Sequence, residues 1–348
     1  LTLVGIFFTR KLYRMNIVTI NDFFRIRYNK QIELVTSIIM VLNYFQWIAA
    51  QFLALALLFQ TVIFLPVEWG VVLGALVVVI YTYVGGMWAV SFTDLLQSIL
   101  IIVVLVFLLI EILTQTGGIT TIFANVEEGF FSIKPDQGMH WTEYLYLWIA
   151  FGLGVIPAQE IYQRVFSARS EKAAVNGVFL SGILLFLIGS IPLIIGMGTV
   201  HLHPDMLNLN EGQSLIPEMV SGYMSLPIQI LFFGALISAI LSTSSGAMLS
   251  PATIIAENLI RPYRPDIGDE LLLFITRGSV VIVAGISIFL ALESKSIHEL
   301  VVDSAVLMLV SLVVPFAFGL YTRKANVPGT WLSMGGGAMT YVICAMLE

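Results

Sequence analysis

Between Ser238 and Ser250 an otherwise apolar stretch carries six hydroxyl side chains: Ser238, Ser242, Thr243, Ser244, Ser245 and Ser250. No Asp, Glu, Lys or Arg occurs from Ser221 to Ala256. Residues three and four apart on a helix share a face, so Ala239, Ser242 and Thr243 bring one backbone carbonyl and two hydroxyls together. Three neutral oxygens suit a hard cation, with further ligands needed from elsewhere to complete its shell. The competing use of such residues is packing, since small polar residues let membrane helices approach closely.

A carboxylate stands in a second unusual segment, residues 81–97, where Gly85 and Gly86 precede Ser91 and Asp94. The glycine pair is expected to end one helix. Ser91 with Asp94 three residues on resembles a capping box that would open the next. The alternative role for Asp94 is that of an acid just inside the membrane, tuning an ion pathway. A third segment, residues 148–164, holds Gly152, Gly154 and Pro157 close together, which predicts an interrupted or kinked helix. Transporters use such breaks to expose backbone groups at mid-membrane; a simple proline kink packed on its glycines is the plainer reading. Glu160 and Arg164, four apart, are expected to form a structural ion pair.

These segments need elements to hold them, and composition says which. Of 348 residues, 58% are hydrophobic and 11% charged, and the mean hydropathy is +0.96. One soluble core cannot absorb that much apolar surface, whereas about 20 apolar residues suffice to cross a hydrocarbon layer as a helix. Nine stretches reach or approach that length, at about 32–64, 68–84, 91–114, 142–166, 173–198, 227–258, 270–291, 299–321 and 327–347. Leu1 to Phe8 reads as the tail of a tenth whose beginning lies outside the sequence, so a fragment is expected. The expected class is all-α, a polytopic membrane protein forming one transmembrane domain over 1–348.

Assigning the loops alternately to two sides places every one of the 16 Lys and Arg residues except Lys134 and Lys295 on one face. By the positive-inside rule that face is cytoplasmic, and the basic loop 10–31 is its largest element. The long outer loops 115–141 and 199–226 carry Glu127, Glu128, Asp136, Asp205 and Glu211 as solvated caps. The single cysteine, Cys344, excludes an intramolecular disulfide. His201 and His203 are read as ordinary loop residues. No metalloprotease, serine-hydrolase, P-loop or dinucleotide motif is present, so an enzyme is not expected, nor a nucleic-acid partner.

The three segments together, in this order, resemble the solute:sodium symporter family. Residues 81–97 are similar to its glycine-pair signature with Thr-Asp, residues 159–170 to its cytoplasmic Gln-Arg stretch, and residues 239–243, Ala-Ile-Leu-Ser-Thr, to its sodium-binding helix. The resemblance runs through nearly all of the chain. It implies a LeuT-type inverted-repeat bundle, sodium as the coupling ion, and symport of a small organic solute across a cell membrane. It makes Ala239, Ser242 and Thr243 sodium ligands, completed by carbonyls of an unwound first core helix that this sequence lacks. Leu1–Phe8 would then end the second core helix, and 142–166, 227–258 and 299–321 would be the sixth, eighth and tenth.

Substrate is less legible. Leu153 and Gly154 stand where the sugar-transporting branch has aromatic gating residues. Residues 154–159 resemble the choline branch, and Ser242-Thr243 also fits the proline branch. Trp148, Phe151, Gly154 and Gln159 are the candidate substrate contacts; Tyr144, Trp148 and Phe151 would supply an aromatic cage for a quaternary ammonium or, equally, an interfacial belt. Two alternatives stay open. One is a sensor domain fused to a signalling module. The other is proton coupling through Asp94 or Asp303.

Overall fold

A computed structural model describes residues 1–126, 130–135, 138–206, 214–294 and 296–347, at 84–89, 344, 345 and 347 in backbone alone. Glu127, Glu128, Asp136, Glu211 and Lys295 lie outside the described residues. Every helix or turn of the description belongs to an all-α chain. In chain order the helices are α1 (Arg10–Tyr13, entered from a π-helical Val4–Thr9), α2 (Ile20–Arg27), α3 (Lys30–Ile63), α4 (Val67–Thr116), α5 (Ile119–Ala124), α6 (Trp141–Leu153), α7 (Gln159–Phe166), α8 (Glu171–Leu202), α9 (Leu215–Tyr223), α10 (Leu226–Ile254), α11 (Asp269–Glu293), α12 (Ile297–Met308), α13 (Val314–Tyr321) and α14 (Val327–Leu347).

Among the described residues six helical stretches are long and apolar enough to cross a membrane: Lys30–Ile63, Val90–Thr116, Glu171–Leu202, Leu226–Tyr263, Asp269–Glu293 and Ile297–Tyr321. A shorter apolar helix covers Val67–Tyr83. Their outer surfaces are what lipid requires. On α8, Leu185 and Phe186 are 63% and 79% exposed, a cost in water that vanishes against acyl chains.

The helices fall into two compact units interleaved in sequence. One comprises Leu1–Ala50, His140–Gly182 and Gly246–Glu348, the other Gln51–Met139 and Ile183–Ser245. The second is built on an apolar core that includes Leu108, Ile112, Ile195, Met219, Phe232 and Phe233. Within it Gly70 and Gly74 of α4 pack against Ala56 and Leu55 of α3. A Cβ on Gly70 would stand 2.8 Å from the Ala56 backbone. In the first unit α2 is set by a capping box, with Thr19 receiving the Asp22 amide and Asp22 receiving that of Thr19.

The expected break at Gly85 and Gly86 takes another form. Helical backbone continues from Val67 to Thr116 and ends at Gly117, whose φ of +80° is the left-handed conformation that glycine permits. Ser91 therefore opens no helix, and Asp94 is not a capping residue. Yet α4 is not straight. At 1.5 Å per residue a straight helix would set Tyr81 and Thr93 ~18 Å apart, whereas their hydroxyls meet in a hydrogen bond, so the axis bends between them. Lipid offers no water to satisfy freed backbone groups, and helical glycine costs only about 1 kcal/mol relative to alanine. Bending thus costs less than breaking.

The predicted interruption in 148–164 is present. α6 stops at Leu153, residues 154–157 form turns, and α7 starts at Gln159. Pro157 supplies no N–H, and Gly154 allows backbone to approach backbone. A Cβ there would lie 2.4 Å from the carbonyl oxygens of both Ala150 and Ala305.

Candidate cation site

The hydroxyls of α10 divide into two groups by what they bond. Ser244 donates to the Ile240 carbonyl at 2.6 Å, Ser245 to Ser242 O at 3.0 Å, and Thr253 to Leu249 O at 2.8 Å. These are the back-bonds by which Ser and Thr satisfy themselves on an apolar helix. Thr243 does likewise, donating to the Ala239 carbonyl at 3.0 Å. That bond places two of the predicted cation oxygens side by side. Thr243 is exposed, and a hydroxyl that donates one bond keeps two lone pairs for a cation.

Ser242 differs. Its hydroxyl donates to Asp94 Oδ1 of α4, and both side chains are half-buried. Asp94 thus meets the hydroxyl helix within one compact unit, and a carboxylate adds a full negative charge beside Ala239, Ser242 and Thr243. No cluster of three or more His, Cys, Asp or Glu suited to a metal occurs among the described residues. The oxygen set here is one carboxylate, two hydroxyls and a carbonyl, which suits a hard cation rather than a soft, thiolate- or imidazole-seeking metal.

The substrate candidates are placed in the other unit. Trp148 is 66% exposed and sits edge-on to Tyr144, which sits edge-on to Trp141, centroids 6.1 and 6.0 Å apart. This row along one face of α6 has the form of an aromatic belt. Phe151 lies 6.1 Å from the His298 ring. Gly154 serves the close approach of α6 to α12. Gln159 is fully buried and its Oε1 accepts from the Ile20 amide at 2.8 Å, which ties α7 to α2. Its Nε2 is buried without a partner. Arg164 Nη1 donates to the Glu160 carbonyl oxygen at 3.0 Å, so the pair is joined through backbone as well as by charge. His203 stacks on Tyr223 with centroids 3.7 Å apart.

One buried polar cluster has no counterpart in the sequence reading. Asn258 receives the Thr19 hydroxyl at 2.7 Å and donates to Glu33 Oε1 at 2.9 Å and Asp22 Oδ1 at 3.2 Å. Arg25 reaches the same two carboxylates at 3.1 and 2.9 Å. Two buried acids are tolerated because one guanidinium and one amide are shared between them. Beyond it, Arg27 donates to the carbonyls of Gly319, Thr322 and Ala325 at 2.8 to 3.0 Å, capping the end of α13. Residues 10–31, expected to be a basic loop, hold the helices α1 and α2, and the partners of α2, more than 200 residues away, left no trace in the sequence.

Comparison with known proteins follows from this geometry. The profile described as the sodium:solute symporter family matches residues 1–337. The human high affinity choline transporter 1 is 27% identical over 364 residues, covering 97% of this chain and 61% of that protein. The sodium/pantothenate symporter of Haemophilus influenzae is 27% identical, covering 95% and 70%. Sodium/proline symporter 2 of Staphylococcus saprophyticus is 26% identical, covering 94% and 65%. The chain thus spans about three-fifths of the human relative's length. Among solved structures, a Na+-coupled sialic acid symporter in a substrate-bound outward-open state superposes with a TM-score of 0.79 at 18% identity, over 94% of this chain and 71% of that one. The shared architecture is the LeuT-type helical bundle.

Proposed function

We propose that this chain, which belongs to the sodium:solute symporter family over residues 1–337, forms the larger part of a membrane carrier that moves a small organic solute inward with sodium. The observation that carries the reading is the meeting of Ser242 with Asp94 beside the Thr243 hydroxyl bonded to the Ala239 carbonyl. An integral membrane helix leaves a carboxylate there only where it has a partner or a task. Sodium would be held by Ala239 O, Ser242 Oγ and Thr243 Oγ1, with Asp94 lowering the potential along its path. In such a carrier the cation favours one of the alternating conformations, and the solute binds that conformation better.

The solute is of the size class named in the relatives, whose names cover choline, pantothenate and proline. The basic end, with the segment 10–31 that carries α1 and α2, would face the cytoplasm. The test is sodium titration of solute uptake by the whole protein. S242A or T243A is expected to raise the sodium concentration for half-maximal uptake at least several-fold. Unchanged sodium dependence in both variants would remove the site assignment, and uptake that follows pH in sodium-free medium would replace sodium with protons.

A further inference from the structure

Two apolar stretches end side by side on basic residues. The span Ile297–Tyr321 ends on an aromatic ring, with Arg323 and Lys324 just after it. Leu1–Phe8 likewise runs into Arg10, Lys11 and Arg14. The two stretches touch at that point, where the Tyr321 hydroxyl donates to the Phe7 carbonyl and the two rings meet edge-on with centroids 6.5 Å apart. All of these residues belong to one compact unit. An aromatic ring followed by Lys and Arg is what a helix carries where it passes from acyl chains to headgroups.

Only some of the cations here are neutralised. Arg10 and Arg14 share Glu171 at 3.1 and 2.8 Å. Lys11 instead stands over the Tyr321 ring, 3.3 Å from its centroid, a contact that orients the ammonium without cancelling its charge. Tyr321 in turn lines a cavity of about 430 Å³ together with Arg27, Gly319, Leu320, Thr322 and Arg323, so the walls hold two guanidiniums and no acid. Arg27 is fixed in place by the carbonyls of Gly319, Thr322 and Ala325, which occupy its Nε and Nη2. A guanidinium has five N–H donors, and the pair on Nη1 meets no acceptor among the described residues. A second hollow gives the contrast. The cavity of about 350 Å³ beside α2 also holds two arginines, Arg25 and Arg261, but Asp22 and Glu257 line it too and pair with them. Charge is balanced there and is not balanced at Tyr321.

We propose that the cavity at Tyr321 binds the phosphate of an anionic phospholipid. Arg27 and Arg323 take the phosphate oxygens, for which the planar fork of arginine is suited, and Lys11 adds its charge from above the ring. The acyl chains lie along Leu3, Phe7 and Phe318, which are 43%, 46% and 61% exposed. That apolar surface beside the cations is what selects a lipid over a free anion, since a soluble phosphate would gain nothing from it. A lipid seated there bridges the end of α13 to the stretch before α1 and stabilises the unit by mass action.

The test uses the purified whole protein in a neutral detergent, titrated with phosphatidylglycerol or with phosphatidylcholine of the same chains, the bound lipid being counted by native mass spectrometry. One phosphatidylglycerol is expected to bind at least about 10-fold more tightly than phosphatidylcholine. R323Q and K11Q should each weaken it about 5-fold, the worth of one basic residue at an anionic headgroup. R264Q removes an exposed charge beside the balanced cavity instead, and should change binding by less than about 2-fold because distant surface charges are screened. Equal binding of the two lipids overturns the proposal, as does unchanged binding in both R323Q and K11Q or a loss in R264Q as large as in R323Q. Displacement of phosphatidylglycerol by millimolar inorganic phosphate overturns it as well, by showing a free-anion site. Lys11 and Arg323 are both exposed; should one variant not accumulate folded, the other carries the same outcomes.

Discussion

Ser242 of α10 gives its hydroxyl proton to Asp94 of α4, a partner 148 residues earlier in the chain. Two residues singled out for separate reasons, one as a neutral cation ligand and one as a helix cap or pathway acid, are therefore parts of one arrangement. The bond also sets the electrostatics of the hydroxyl helix. A run of neutral dipoles acquires a formal negative charge at one point along its length.

The charge, rather than the hydrogen bond, is what a sodium ion would feel. D94N keeps an acceptor for Ser242 and removes the charge, so half-saturating sodium is expected to rise about tenfold or more. S242A alone should have a smaller effect. A double-mutant cycle should give a coupling of roughly 1.5–3 kcal/mol, as for a hydrogen bond to an ionised group. Additive effects of the two changes on sodium titrations would show that the bond has no part in cation binding.

Gly154 and Gly152 offer a matched pair. A Cβ at 154 would meet two backbone oxygens at 2.4 Å, whereas one at 152 meets nothing within 4 Å. G154A is expected to cost at least about 2–3 kcal/mol through overpacking. G152A, inside α6, should be neutral or stabilise by about 0.5–1 kcal/mol. Thermal unfolding in detergent, followed by tryptophan fluorescence, separates the two. Equal melting temperatures would contradict the close approach of α6 to α12.

Asn258 donates to both Asp22 and Glu33. N258A leaves Arg25 as the side-chain donor that the two buried carboxylates share and is expected to destabilise by on the order of 3 kcal/mol. N258D adds a third acid and should be worse. The prediction fails if N258D is as stable as the native chain at neutral pH.

Arg27 caps α13 by bonding three carbonyls at once. A planar fork can do this and an ammonium on a flexible stem cannot. R27K should lower stability by about 1–2 kcal/mol, as for loss of hydrogen bonds from a charged donor. Melting temperatures of R27K and R27A would be compared; a lysine that fully restores stability would show that charge alone suffices.

Hydropathy, glycine and proline determined a good deal by themselves. Long apolar runs must become helices in lipid, because only helices satisfy the backbone within a segment, and α3, α8, α10 and α11 follow from that. Gly154 with Pro157 marked the interruption between α6 and α7, since a missing N–H and a missing Cβ act locally. The axis of α4 bends within the segment that holds Gly85 and Gly86, but whether an axis breaks or bends depends on what packs around it. Tertiary structure alone decided the partners. Asp94 with Ser242, Gln159 with Ile20, Asn258 with Asp22 and Glu33, and the Tyr44 hydroxyl with the Glu160 amide are pairs distant in sequence. A polar side chain buried in an apolar protein bonds whatever the packing of the helices brings within 3 Å, and periodicity along one helix carries no record of which residue on another that is.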